Sequence, residues 1–217
     1  GPLPVPVRYY AAHTGRWGGD DKINLQNLPS RGVHGKKLKR SIIPPDDMSL
    51  IEADSAQIEA RVLAWLAEQD NLVEAFTNGE DVYKKMAARI YDKDEADVTK
   101  EERFVGKTTI LGAGYGMGAE KFKDQLKTFG AEMELNEARR VIKIYREANY
   151  NIGQLWRNAQ QSIVNLSRGD AISFGRGNLL SVDVDRSALR LPSGLLMRYT
   201  DLRGDKIITE FDGIPTE

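Results

Sequence analysis

The sequence predicts an α+β fold: a short strand-bearing leading segment, a long helical stretch, and a return to strands. Three observations predict it. Residues 3 to 48 are rich in Gly, Pro, Asn and polar side chains and show no helical period, which reads as loops and short strands. Apolar residues then recur at helical spacing as far as about residue 166. After Gly169 the pattern changes to strand-like alternation.

Taken in order, Leu50, Ile51 and Ala53 form a short apolar run ending at Asp54, which reads as a strand. Ile58, Val62, Trp65, Leu66 and Gln69 follow at helical spacing, so Asp54 is expected at a strand-to-helix junction. Helices are expected near 57–69, 71–78, 81–91, 99–115, 118–129, 134–149 and 151–167, broken at Asn78-Gly79, Gly116 and Gly130. Strands and hairpins are expected through Ile172–Leu180, Ser181–Leu191 and Leu195–Tyr199, with turns at Gly175, Gly177 and Pro192-Ser193-Gly194. The expected domain organisation is a first segment over 3–56, a helical subdomain over 57–168, and returning strands over 169–217.

Composition narrows the function classes. A chain of 217 residues with 41% hydrophobic side chains has enough apolar material for a packed core. It has no Cys, which excludes a disulfide framework and thiolate metal sites, and a cytoplasmic setting is the default. No apolar run reaches the ~20 residues of a membrane span. Gly1-Pro2 ahead of Leu3 reads as a protease scar and is set aside from the fold. The formal net charge of −1 shows no overall sign of nucleic-acid binding. Locally, Arg31, Lys36, Lys37, Lys39 and Arg40 cluster around Gly32 and Gly35, as a loop set against phosphates would, or as a solvated basic loop. His13 and His34 are too few for a metal cluster.

Three segments carry the chemistry: Ala12-His13-Thr14-Gly15-Arg16-Trp17 continuing to Asn24-Leu25-Gln26-Asn27-Leu28-Pro29; Asp54-Ser55-Ala56-Gln57-Ile58-Glu59-Ala60-Arg61; and Arg103 through Lys107 to Gly114-Tyr115-Gly116-Met117. Their conjunction in this order resembles the family A DNA polymerases, the group of bacterial DNA polymerase I and its phage relatives. The resemblance implies a partial palm sheet supporting a mostly helical fingers subdomain. It also implies templated addition of deoxynucleotides to a primer 3′ end with Mg²⁺, with primer-template DNA and deoxynucleoside triphosphates as partners.

By that resemblance Asp54 binds the metals, joined by the backbone carbonyl of Ser55, since Mg²⁺ favours carboxylate and phosphate oxygens. The plainer reading of Asp54 is a helix cap. Glu59 would block a ribose 2′-hydroxyl, with Gln57 and Arg61 either holding it by hydrogen bonds or standing only as polar positions on the helix; the plain reading of Glu59 is an acid favoured by the helix dipole. Arg103, Lys107, Leu111 and Tyr115 recur every four residues, so they drift slowly around one helix face over roughly 18 Å. Arg103 and Lys107 would meet the β- and γ-phosphates, Leu111 would pack near sugar and base, and Tyr115 would stack by the template base. Many relatives place an aromatic where this chain has Leu111, a loss expected to weaken stacking and alter discrimination among sugar-modified nucleotides. Arg16, Gln26 and Asn27 would contact primer-template in the minor groove, or stabilise loops. Gly116 would let the backbone approach the template.

Competing motifs are weak. Gly106-Lys107-Thr108 resembles the end of a phosphate-binding P-loop, yet position 101 holds Glu101 instead of the opening Gly, and the reading fails if Lys107 lies mid-helix. Gly114-Tyr115-Gly116-Met117-Gly118-Ala119 fits a loose dinucleotide fingerprint but ends a helix. The family's second carboxylate comes from a His-Asp-Glu segment, and no such tripeptide occurs here. Asp183 and Asp185, alternating with Val182 and Val184, are the available substitutes or else solvent-facing positions. The isolated chain is therefore expected to extend primers little or not at all. Open strand edges and apolar surface are expected to draw in a polypeptide completing the palm, self-association or rearrangement. The alternative class is a non-catalytic half of a split polymerase or a nucleic-acid-binding accessory module.

Overall fold

The computed structural model of the chain describes residues 3–12, 15–28, 32–51, 53–200, 202, 209–211 and 214–216. His13, Thr14, Pro29 and Arg31, named above, lie outside the described residues. The chain divides into two compact units, Gly1–Asp54 and Ser55–Glu217.

In the first unit, β1 (Val7–Arg8) pairs antiparallel with β2 (Gly18–Gly19). Gly19 is required: a Cβ there would lie 2.2 Å from the Ile23 carbonyl oxygen, because the chain folds back at once. A 3₁₀ turn covers Leu25–Asn27. Next comes α1 (Gly32–Arg40), where the sequence suggested a loop. Two glycines cost roughly 1 kcal/mol each against Ala in a helix. That cost is offset at the C-terminus, where Lys37, Lys39 and Arg40 meet the negative end of the dipole. Ser41 closes the last turn, its Oγ donating to the Leu38 carbonyl at 2.7 Å and its N–H to that of Lys37 at 3.0 Å. The strand expected at residues 50–53 is not seen: the described residues there carry no regular secondary structure, and Ile51 is 85% exposed. An apolar run becomes a strand only when a partner takes up its backbone bonds.

The second unit is mainly helical: α2 (Ile58–Leu66), α3 (Asp70–Thr77), α4 (Val82–Tyr91), α5 (Lys100–Gly114), α6 (Ala119–Thr128), α7 (Leu135–Ala148) and α8 (Tyr150–Arg168). These match the expected helices to within three residues at each end. Gly79, Gly116 and Gly130 take the left-handed backbone at the expected breaks. A single core joins Ala60 and Ala64 of α2, Phe76 of α3, Met86 and Ile90 of α4, Ile110 of α5, Phe122 and Leu126 of α6, Val141 and Tyr145 of α7, and Ile152 of α8. Lys107 lies mid-helix in α5, so the P-loop reading fails.

After α8 come β3 (Ser173–Phe174), β4 (Leu180–Asp183), β5 (Ala188–Arg190) and β6 (Leu196–Arg198), an antiparallel sheet in that order. Leu166 of α8 seats it against Val182 and Leu189. A further antiparallel pair joins β7 (Thr209–Phe211) to β8 (Ile214–Thr216). Asp183 and Asp185 do not share a strand face: β4 ends at Asp183, whose carboxylate accepts from Arg190 at 2.7 Å and Arg186 at 3.4 Å.

Candidate functional site

The site begins with how α5 starts and how closely it packs. Thr99 and Glu102 form a reciprocal capping box, and Glu102 also holds Lys93 at 2.6 Å, which fixes the first turn. Val105, Thr109, Ile110 and Ala113 are buried, so the opposite face carries Arg103, Lys107, Leu111 and, at the C-cap, Tyr115. Gly106 sets the approach to α4, since a Cβ there would lie 2.2 Å from the Tyr83 carbonyl oxygen and 2.9 Å from the Ala87 nitrogen.

That close crossing puts Tyr83 beneath both cations. The Arg103 guanidinium carbon is 5.4 Å from the Tyr83 ring centroid and the Lys107 Nζ 5.9 Å, within cation–π range. Arg103 Nε also donates to Asp81 Oδ2 at 2.6 Å, and Asp81 caps α4 by accepting from the Lys84 N–H at 3.1 Å. Burial pushes the Asp81 carboxyl up, but the bonds from Arg103 and the Lys84 N–H outweigh it and hold it below its ordinary value. Burial raises the Tyr83 phenol, against the lowering effect of its hydrogen bond to the Gln57 side chain. Asp81 and Tyr83 were not singled out from the sequence. Nothing in the sequence pattern shows that Asp81 reaches a guanidinium 22 residues away.

Toward the C-terminal end of α5, a cleft of about 300 Å³ is lined by Glu59, Ala60 and Leu63 of α2, Ile110, Leu111 and Gly114 of α5, Tyr115 and Trp156. The Tyr115 hydroxyl donates to Glu59 Oε2 across it. Glu59, distant in sequence, thus lines one cleft with Leu111 and Tyr115. Gln57 lies beside Tyr83. Arg61 turns elsewhere: it donates to the Ala56 carbonyl at 2.9 Å and the Phe76 carbonyl at 3.3 Å, with its guanidinium over the Phe76 ring at 4.7 Å. Gly116 is exposed at φ +74°.

Asp54 is exposed in the first unit and does not cap α2, whose N-cap is Gln57 in the left-handed region. The Ser55 carbonyl accepts from Ile58 N–H at 3.4 Å. The Asp54 carboxylate and the Ser55 carbonyl are each an oxygen donor of the kind Mg²⁺ takes. Among the described residues no group of three or more His, Cys, Asp or Glu gathers as a metal site. In the first unit Arg16 is exposed, its carbonyl accepting from the Ala11 N–H at 2.8 Å. Gln26 and Asn27 stand exposed on the 3₁₀ turn. No helix among the described residues is long and apolar enough to cross a membrane.

Comparison with known proteins adds an independent line. The sequence profile described as DNA polymerase family A matches residues 7–179. DNA polymerase I of Deinococcus radiodurans is 36% identical over 122 residues, covering 56% of this chain and 12% of that protein. DNA polymerase I of Geobacillus stearothermophilus is 43% identical over 95 residues, 43% of this chain and 11% of that protein. DNA polymerase I of Chloroflexus aurantiacus is 35% identical over 142 residues, 65% of this chain and 14% of that protein. Among solved structures, the POL domain of Pol1 from M. smegmatis, in complex with DNA primer-template and dNTP, superposes with a TM-score of 0.61 at 26% identity. That match covers 77% of this chain and 28% of the other. The chain thus spans a small fraction of the length of the curated relatives it matches.

Proposed function

This chain belongs to DNA polymerase family A, and from that premise we propose that it supplies the nucleotide grip and part of the primer-template surface of a DNA-directed DNA polymerase. The observation that carries the reading is the outer face of α5, where Arg103 and Lys107 stand over Tyr83 and Leu111 and Tyr115 run on into the cleft that Glu59 borders. A guanidinium fork and an ammonium one turn apart match the β- and γ-phosphates of a deoxynucleoside triphosphate. Leu111 then packs against sugar and base, and Tyr115 stacks beside the template base. Glu59, tied to Tyr115, narrows the cleft against a ribose 2′-hydroxyl.

Magnesium, when bound, would neutralise phosphate charge and favour ionisation of the primer hydroxyl; Asp54 and the Ser55 carbonyl are the chain's donors for it. Arg16, Gln26, Asn27 and Gly116 are the proposed contacts to primer-template DNA. The proposed organisation is a palm segment over 3–56, helical fingers over 57–168 and returning strands over 169–217.

Titration of the chain with dGTP and Mg²⁺ by calorimetry tests this. Removing one charge-assisted phosphate contact costs about 1.5–3 kcal/mol, so Arg103→Ala and Lys107→Ala should each weaken binding by roughly tenfold or more. Unchanged binding in both variants would defeat the assignment.

A further inference from the structure

Two long cations that must meet a triphosphate raise a question the mechanism leaves open: what holds them in posture before the nucleotide arrives. Free in solvent, Arg and Lys side chains each have rotamer freedom to lose on binding. The N-terminus of α4 answers the question with two residues. Asp81, fixed as the helix cap, grips Arg103 at Nε. Tyr83, 6% exposed, sets its ring beneath both Arg103 and Lys107.

The atom that Asp81 takes matters. It engages Nε, while among the described residues Nη1 and Nη2 of Arg103 make no hydrogen bond to protein. A guanidinium held by its Nε edge keeps the two-nitrogen fork that reads phosphate bidentately. Gly106, between the two cations in sequence, brings α5 close enough for a single ring to serve both.

We infer that Asp81 and Tyr83 are positioning residues, a clamp that presets Arg103 and Lys107 for the β- and γ-phosphates of the nucleotide. The clamp rests on the nucleotide-site reading above. It carries a trade-off, since a carboxylate near a triphosphate repels it; the geometry favours preorganisation because the fork is left open.

The test separates the clamp from the helix cap and from the fold. Asp81→Ser keeps a good N-cap but is too short to hold Arg103, and Asp81→Asn keeps the cap through its one amide oxygen while turning an NH₂, which cannot accept, toward the Arg103 Nε–H. Tyr83→Leu removes the ring, and Tyr83→Phe keeps its face. Calorimetric titration with dGTP and Mg²⁺ should show binding weakened about tenfold in Asp81→Ser and Tyr83→Leu. Asp81→Asn should weaken binding as Asp81→Ser does, since neither accepts from the Arg103 Nε–H while both keep the cap, and Tyr83→Phe should stay within about twofold. In nitrogen NMR, the Arg103 Nε–H should be protected from exchange in the unaltered chain and in Tyr83→Phe, and unprotected in Asp81→Ser and Asp81→Asn. A merely structural role for Asp81 would not move that resonance.

If Asp81→Ser and Tyr83→Leu bind dGTP like the unaltered chain while Arg103→Ala and Lys107→Ala bind weakly, the clamp is wrong and the nucleotide site stands. If neither Arg103→Ala nor Lys107→Ala changes binding, or the unaltered chain does not bind dGTP, the site itself is wrong and the clamp falls with it.

Discussion

Asp81 and Glu102 set the acid response of the face that bears the cations. Burial raises the Asp81 carboxyl, yet Arg103 and the Lys84 N–H bring it below its ordinary value; Glu102 is lowered by Lys93 and by the Thr99 N–H. Both groups therefore bind protons more weakly folded than unfolded. The stability they contribute is present above the unfolded carboxylate value of about 4 and is lost as pH falls through their lower folded values. Thermal midpoints measured from about pH 6 down to about pH 3 should fall, and Asp81→Asn with Glu102→Gln should flatten that slope. A slope unchanged by the double substitution would count against both ion pairs. At this same scale the sequence left Arg61 open, as a support for Glu59 or as a polar position on the helix; the long flexible side chain takes the acceptors the fold brings near, here two backbone carbonyls and the Phe76 ring.

The meeting of α4 and α5 turns on one atom that is absent. Ala at position 106 would gain roughly 1 kcal/mol of helix propensity, but its Cβ would sit 2.2 Å from the Tyr83 carbonyl oxygen, a backbone atom that cannot swing aside. The two helices must then part, at a cost of about 1–3 kcal/mol. Gly106→Ala should lower the thermal midpoint and pull Arg103 and Lys107 off the Tyr83 ring, seen as loss of Arg103 Nε–H protection. An unchanged midpoint would show that the crossing is looser than described. Gly116→Ala offers a contrast: nothing lies within 4 Å of the added methyl. Its cost is the left-handed backbone alone, roughly 1–2 kcal/mol. The helices themselves were legible because their buried faces repeat at the helical period. α1 was not, because its two glycines argue against a helix locally while its basic last turn and closing bonds argue for one.

On the scale of the whole molecule, apolar burial is uneven. All the buried hydrophobic side chains among the described residues lie in Ser55–Glu217, whereas in Gly1–Asp54 Leu3, Val5, Tyr9, Trp17, Ile43, Met48, Leu50 and Ile51 are exposed. Exposed apolar surface on that scale favours association. Light scattering across a concentration series should show self-association of the chain alone, together with binding of an apolar dye that is suppressed when association is complete. A dye-silent monomer at high concentration would contradict this. The three motif segments, their family and the helical run were all readable in the linear chain, because each is a local pattern of residue type and period. Which acceptor holds Arg103, which ring underlies Lys107 and which hydroxyl meets Glu59 were decided only by the tertiary structure. Those pairings join residues 22, 24 and 56 positions apart, and no period in a sequence records which points two packed helices bring together.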